Sequence, residues 1–339
     1  MRRLFGSLAI LIGLVASVSA QDACGGADLI ARMKREDPAR YERLAAEAKN
    51  IAFGGARFFK LSKGAAAPSY LFGTMHSSDP RVLAWIDQIE PRLRASRAVA
   101  IENADINPRR VAPEAAFKFA TMMIAKPGEL MSERMPDNEL DQIAAVAAPK
   151  MSMTPPAIKR LRPWALILSF AYPNCETVRA KQRGVLDFNI IARAEDGKIA
   201  IASLESIDDM LGALLEPPLD AQIDLLRSAF LTYPMAEDML ESMTRLLDRG
   251  ETGLLTAYAR DESVRTLKRA DSYDIFMRSL IDRRNAGMFR TALPLAAKGG
   301  AFLAVGALHL PGDRGLAKMF ADAGYKVEPI MLTRTTKDD

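Results

Sequence analysis

Histidine is nearly absent from this chain: two occur in 339 residues, His76 and His309. Cysteine is as sparse, with only Cys24 and Cys175. Two imidazoles cannot complete a three-ligand metal site by themselves, and two thiols exclude both a disulfide-dense scaffold and a four-cysteine zinc site. Beyond the N-terminus no apolar run approaches the roughly twenty residues that a bilayer span requires. No stretch interleaves Lys and Arg with aromatics, so the formal charge of +4 is a small surplus rather than a basic footprint, and nucleic acid is not expected as a partner. No low-complexity linker divides the chain. With 49% apolar residues, one large core is expected.

What is present begins with a leader. Arg2 and Arg3 precede an apolar run from Leu4 to Val18 that closes on Val18-Ser19-Ala20. That pattern of basic start, short apolar stretch and small residues reads as a secretory signal peptide over residues 1–20, cleaved after Ala20. The polar Gln21-Asp22-Ala23 before Cys24 argues against a lipoprotein site. Loss of Arg2 and Arg3 takes the charge of the remaining chain, 21–339, to +2. Export to an oxidising periplasmic or extracellular compartment predicts a Cys24–Cys175 disulfide.

Segments rich in β-branched and aromatic residues predict strands at 56–61, 69–72, 98–101, 198–203, 301–305 and 326–332. The region from about 105 to 300 is mostly helical, with apolar residues recurring every three or four positions, as at Ile223, Leu226 and Phe230. Prolines cut its first part into short helices, and Pro163 suits a first helical turn. The fold class is therefore α/β: a central mixed sheet with flanking helices and a helical middle, strands from both ends of the chain sharing one sheet.

One internal echo stands out. Ser69-Tyr70-Leu71-Phe72-Gly73-Thr74-Met75-His76 and Ala301-Phe302-Leu303-Ala304-Val305-Gly306-Ala307-Leu308-His309 each run from an apolar strand into Gly-x-x-His. The carboxyl ends of strands in an open α/β sheet line the ligand crevice. If the two strands are neighbours, both imidazoles project into one place. A catalytic metal needs a third protein ligand, and with no third histidine that ligand must be a carboxylate. Glu102, ending Ala98-Val99-Ala100-Ile101-Glu102, has the strand-end position, and Glu205, after Ala202-Ser203-Leu204, is the second candidate.

These residues resemble the TraB/GumN family, which includes the Tiki metalloproteases. The resemblance rests on the two Gly-x-x-His segments, Glu102, the arginine of Arg284-Asn285 and Leu308-His309-Leu310-Pro311-Gly312. Arg162-Pro163-Trp164, Gly184-Val185-Leu186-Asp187 and Leu204-Glu205 fall in the expected order. It implies a fold shared with ChaN and erythromycin-esterase-like proteins, His76, His309 and Glu102 as metal ligands, and Glu102, Glu205 and Arg284 as catalytic residues. It further implies a divalent manganese, cobalt or zinc ion and a peptide or other small substrate. The expected activity is that of an exported metal-dependent hydrolase of peptide bonds. Two alternatives stand beside it: a non-catalytic binder of peptide, metal or haem, and a metal-free His/Glu hydrolase.

Simpler roles compete at several positions. Asp187 reads as a helix N-cap, and Glu205 as a charge favoured by a helix N-terminus. Arg283 competes with Arg284. Met122-Met123 and Met151-Ser152-Met153 read as core filler rather than metal ligands.

Overall fold

The computed structural model describes residues 24–107, 110–267 and 271–336. The leader read at 1–20 lies outside them. Six strands form one mixed sheet: β1 (Phe58–Ser62), β2 (Ser69–Thr74), β3 (Ala98–Ile101), β4 (Ala200–Ser203), β5 (Ala301–Gly306) and β6 (Lys326–Pro329). Every expected strand exists, with ends displaced by a few residues. The order across the sheet is β4-β3-β5-β2-β1-β6. β4, β3, β5 and β2 run parallel, whereas β1 is antiparallel to both β2 and β6.

The parallel centre explains the sequence of its strands. β3 and β5 are almost wholly buried, because helices cover both faces, and a strand buried on two sides reads as a continuous apolar run. The pleat still sorts side chains by face. Phe72, Val99, Ile101, Phe302 and Ala304 enter one core, packed with the helix Leu186–Asp196 and helices near the N-terminus. Leu71, Ala100, Leu303 and Val305 enter the other, against helices Arg284–Ala297 and Leu316–Asp322. Each fully buried Leu or Phe contributes about 1.5–3 kcal/mol.

A third core lies in the helical middle, where Trp164, Leu166, Ile143, Ile223 and Leu226 pack together. The expected methionines, Met122, Met123, Met151 and Met153, pack against it. The prolines act as read from the sequence: Pro113, Pro155 and Pro163 each occupy the first turn of a helix. They need no amide hydrogen there, so the break costs no hydrogen bond.

Cys24 and Cys175 form a disulfide across 151 positions of sequence. Its second half sits in the first turn of the helix Asn174–Arg183, so the bridge ties the start of the described chain to that helix. Gly25 and Ala27 tie the same segment to a second helix, Ala236–Asp248, through backbone N–H donations to Glu237 and Asp238, each 2.8 Å. Replacing both cysteines by serine should lower stability by about 2–5 kcal/mol, read as a shift of the urea midpoint. An unchanged midpoint would show that the bridge contributes nothing.

Candidate functional site

The register of the parallel strands gathers the site. Thr74 of β2 lies opposite Gly306 of β5, and Ile101 of β3 pairs with both Ala304 of β5 and Ser203 of β4. His76, His309, Glu102 and Glu205 therefore follow the carboxyl ends of four adjacent parallel strands, the crevice position expected for an α/β sheet. A backbone bond from the Glu205 N–H to the Glu102 carbonyl, 2.9 Å, sets the two acids side by side.

The glycines of the two segments serve close approach. A Cβ on Gly73 would come within 2.7 Å of Leu310 Cδ1 and 3.0 Å of Ala307 Cα, and one on Gly306 within 3.0 Å of Glu102 Oε1. Neither glycine adopts a positive φ. Space, not conformation, requires glycine at both positions. The missing side chain lets the Gly306 N–H donate to Glu102 Oε1.

Each imidazole is held at Nδ1 by a side-chain oxygen. His76 Nδ1 lies 2.8 Å from Asp187 Oδ2, and the carboxylate can only accept, so Nδ1 carries the hydrogen. His309 Nδ1 lies 2.7 Å from Asn285 Oδ1. The Asn285 amide cannot be reversed without loss, because its Nδ2 donates to the carbonyls of His309, 3.2 Å, and Arg314, 2.8 Å. Both rings thus carry the lone pair on Nε2 when neutral; that of His309 faces Arg284 Nη1 at 3.3 Å. Fixing one ring nitrogen to orient the other is how proteins prepare histidines for metal or acid–base work.

The two rings differ electrostatically. The negative charge of Asp187 pushes the pKa of His76 up to about 9 against partial desolvation, although half its side chain is exposed. Burial pushes His309 down to about 4, and Arg284 adds to the effect. His309 is therefore neutral near pH 7, while His76 carries a proton in the absence of any ligand that displaces it.

Arg284 occupies the floor between the acids. Its Nε donates to Glu205 Oε2 at 3.0 Å, and its Nη2 to Glu205 Oε1 at 2.5 Å and to Glu102 Oε2 at 2.7 Å. Nη1 lies 3.3 Å from both the Leu280 carbonyl and His309 Nε2. Burial alone would raise the pKa of Glu102, but the neighbouring His309, then Arg284, His76 and the Gly306 N–H, hold its carboxyl well below the usual range. Glu205 is moved the other way: burial raises it and Arg284 only partly compensates. Arg283 faces elsewhere, exposed and paired with Glu216 at 2.7 Å. Consecutive helical residues point about 100° apart, so only one of this arginine pair can enter the site. A π-helical stretch, Arg278–Arg283, immediately precedes Arg284, a distortion that recurs at functional sites.

Two roles expected from the sequence need correction. Asp187 is not an N-cap: Val185 holds that position, and the buried Asp187 carboxylate accepts from Thr74 Oγ1 at 2.7 Å as well as from His76. Glu205 does not serve the following helix either, since Ser206 and Asp209 form its capping box and Glu205 turns to Arg284. Asn285 and Glu176 escaped the sequence reading. Asn285 adjoins Arg284 in Arg284-Asn285, but nothing in the sequence says that it meets His309. Glu176 is fully buried and accepts from Ser77 Oγ, 3.1 Å, Ser78 N–H, 2.5 Å, and Ser78 Oγ, 2.9 Å. It thereby fixes the two residues after His76, while Arg179 neutralises it.

A cleft of about 680 Å³ adjoins the site, with His76 in its wall. That volume suits a small ligand or a short segment of chain. Its other walls come chiefly from the helices Asn174–Arg183 and Leu186–Asp196.

The chain matches the sequence model of the TraB/PrgY/gumN family over residues 58–329. It belongs to that family. No curated protein and no solved structure matches this family member. The matched span includes all six strands and every site residue named above.

Glu102 Oε1 and His309 Nε2 lie 3.6 Å apart, near the ~3.4 Å between two ligands of one tetrahedral ion bound at about 2.1 Å. Among the described residues, however, no three His, Cys, Asp or Glu side chains are gathered closely enough to hold a metal. A carboxylate, an imidazole and a second imidazole on the neighbouring strand end are the right donors. Arg284 lies against two of them, so an ion there would share its carboxylate with a guanidinium.

Two substitutions test the polar framework. Glu176→Ala leaves the buried Arg179 with only the longer contact to Asp79, 3.4 Å, and should destabilise the fold by about 3 kcal/mol, seen in thermal or urea unfolding. Arg284→Met should cost a similar amount, because Glu102 and Glu205 would lose the guanidinium that bridges them in a buried site. Losses below about 1 kcal/mol would mean that water enters and solvates these groups.

Proposed function

We propose that this protein is an exported hydrolase that cleaves peptide bonds in the cleft beside His76, with a divalent manganese, cobalt or zinc ion held by His76, His309 and Glu102, which would have to draw closer together than they stand to share it. One observation carries the reading: two histidines fixed at Nδ1 by side-chain oxygens, at the ends of adjacent parallel strands and beside Glu102, with Nε2 of His76 turned to the cleft wall and Nε2 of His309 facing Arg284 Nη1 at 3.3 Å. When bound, such an ion supplies a more acidic water and polarises a carbonyl.

The chain's own groups have separate tasks. Asp187 orients the His76 ring at the cleft wall, and Asn285 keeps His309 in one tautomer. Glu102 stays ionised and can accept a proton from water. Arg284, engaged on all three nitrogens, acts as the fixed positive charge that lets Glu102 and Glu205 stand together, rather than as a free hand on the substrate. Glu205 holds that guanidinium in place through two of its nitrogens. Export fits the disulfide, which persists in oxidising compartments, and among the described residues no helix is long and apolar enough to cross a membrane.

A second reading, metal-free acid–base hydrolysis, draws on the His76–Asp187 pair in the cleft wall. That pair resembles a catalytic base with its orienting carboxylate.

Metal content and affinity of the purified protein decide between them when wild type is compared with His76→Ala and His309→Ala. The proposal expects roughly one ion per chain in the wild type, its loss in both folded variants, and peptide hydrolysis abolished by chelator. Equal binding, or none, across the three proteins overturns the metal. Hydrolysis that survives chelation selects the acid–base reading.

A further inference from the structure

The wall of the cleft carries uncompensated positive charge. Its lining includes two carboxylates and two cationic side chains: Glu176, Glu195, Lys181 and Arg183. Both carboxylates are engaged elsewhere. Glu176 is buried and satisfied by Ser77, Ser78 and Arg179, and Glu195 accepts from Arg110 at 2.9 Å. Lys181 and Arg183 are exposed and, among the described residues, make no ion pair with a carboxylate. Their place in the last turn of the helix Asn174–Arg183 favours cations through the helix dipole, which accounts for basic residues there. It does not account for the lack of an acidic partner at Arg183, since most arginines among the described residues have one.

The rim bearing Arg183 is also held in shape. Asn189 Nδ2 donates to the carbonyls of Arg183, Gly184 and Val185 at 3.2, 3.3 and 3.0 Å. Gly184 turns the chain there with φ +69°, a conformation that glycine adopts without strain. Phe188 lines the same cleft and offers an apolar surface. The cleft therefore combines a fixed cationic rim, an apolar wall and His76.

Resting on the hydrolase reading above, we propose that the cleft takes acidic peptides: a segment whose carboxylate, from an Asp or Glu side chain or a free C-terminus, lies against Lys181 and Arg183 while its backbone passes His76. Both groups are solvent-exposed, so each contributes modestly. Exposed ion pairs give about 0.2–1 kcal/mol apiece, and two together correspond to a preference of roughly two- to thirtyfold.

The test uses fluorescently labelled peptides of alanine, phenylalanine and glycine, matched in pairs with Glu or Gln at a single position. Anisotropy titration of His76→Ala reads binding without turnover, and the wild type is titrated as well should that variant unfold. The proposal expects the Glu peptide to bind more tightly at one or more positions. That advantage should shrink as salt rises from about 50 to about 500 mM and disappear in Lys181→Gln/Arg183→Gln. Equal binding of Glu and Gln peptides at every position, a preference that survives the double substitution, or no binding of either peptide overturns it. Selective binding without cleavage by the metal-loaded wild type would sink the hydrolase reading and leave the acidic-peptide site standing.

Discussion

The guanidinium of Arg284 is the contact on which the centre of this molecule depends. Two carboxylates, Glu102 and Glu205, leave the ends of adjacent strands and are brought together by a backbone hydrogen bond. Without a permanent cation between them, one would have to protonate or the strand ends would separate. Arginine suits the position because its planar fork meets both acids at once and its charge does not titrate away. The resulting charge distribution is asymmetric: Glu102 is held ionised, Glu205 is biased towards its neutral form, and His309 is kept from protonating. Three groups that could titrate together are thus driven apart, a separation typical of sites that use acids and bases in distinct roles.

A second framework surrounds His76. Asp187 holds the ring, Glu176 holds the two residues behind it, and Thr74 of β2 holds Asp187. Since Glu176 follows Cys175 directly, the disulfide that ties down the start of the described chain also anchors the helix that positions the loop after His76. Stability and site geometry share the same contacts here. The cleft next to them inherits its walls from the helices that carry Glu176 and Asp187, so whatever positions His76 also shapes the space in front of it.

Much of the fold was legible because its strands are short, apolar and bounded by turns, and because prolines divide the helical middle at helix starts. The paired histidines, Glu102 and Arg284 were legible for a different reason: each sits at a strand end or in a family motif. Asp187 was misread because an aspartate near a helix start has an ordinary local explanation, and local pattern cannot reveal a carboxylate that reaches a histidine 111 residues earlier. Asn285 and Glu176 were missed on the same ground, as both act through contacts far removed in sequence. The choice between Arg283 and Arg284 was open in sequence and closed by which side of the helix faces the strand ends.

The sequence alone determined the class of fold, the location of its strands, the pairing of two cysteines by scarcity and compartment, and the residue types available to a site. Those are local or compositional properties, set by side-chain chemistry and periodicity. Only the tertiary structure decided that β5 inserts between β3 and β2, which places His309 between Glu102 and His76, and that Arg284 occupies the ground between the acids. These are matters of long-range register and packing. They are settled by which buried surfaces and charges satisfy one another across the sheet.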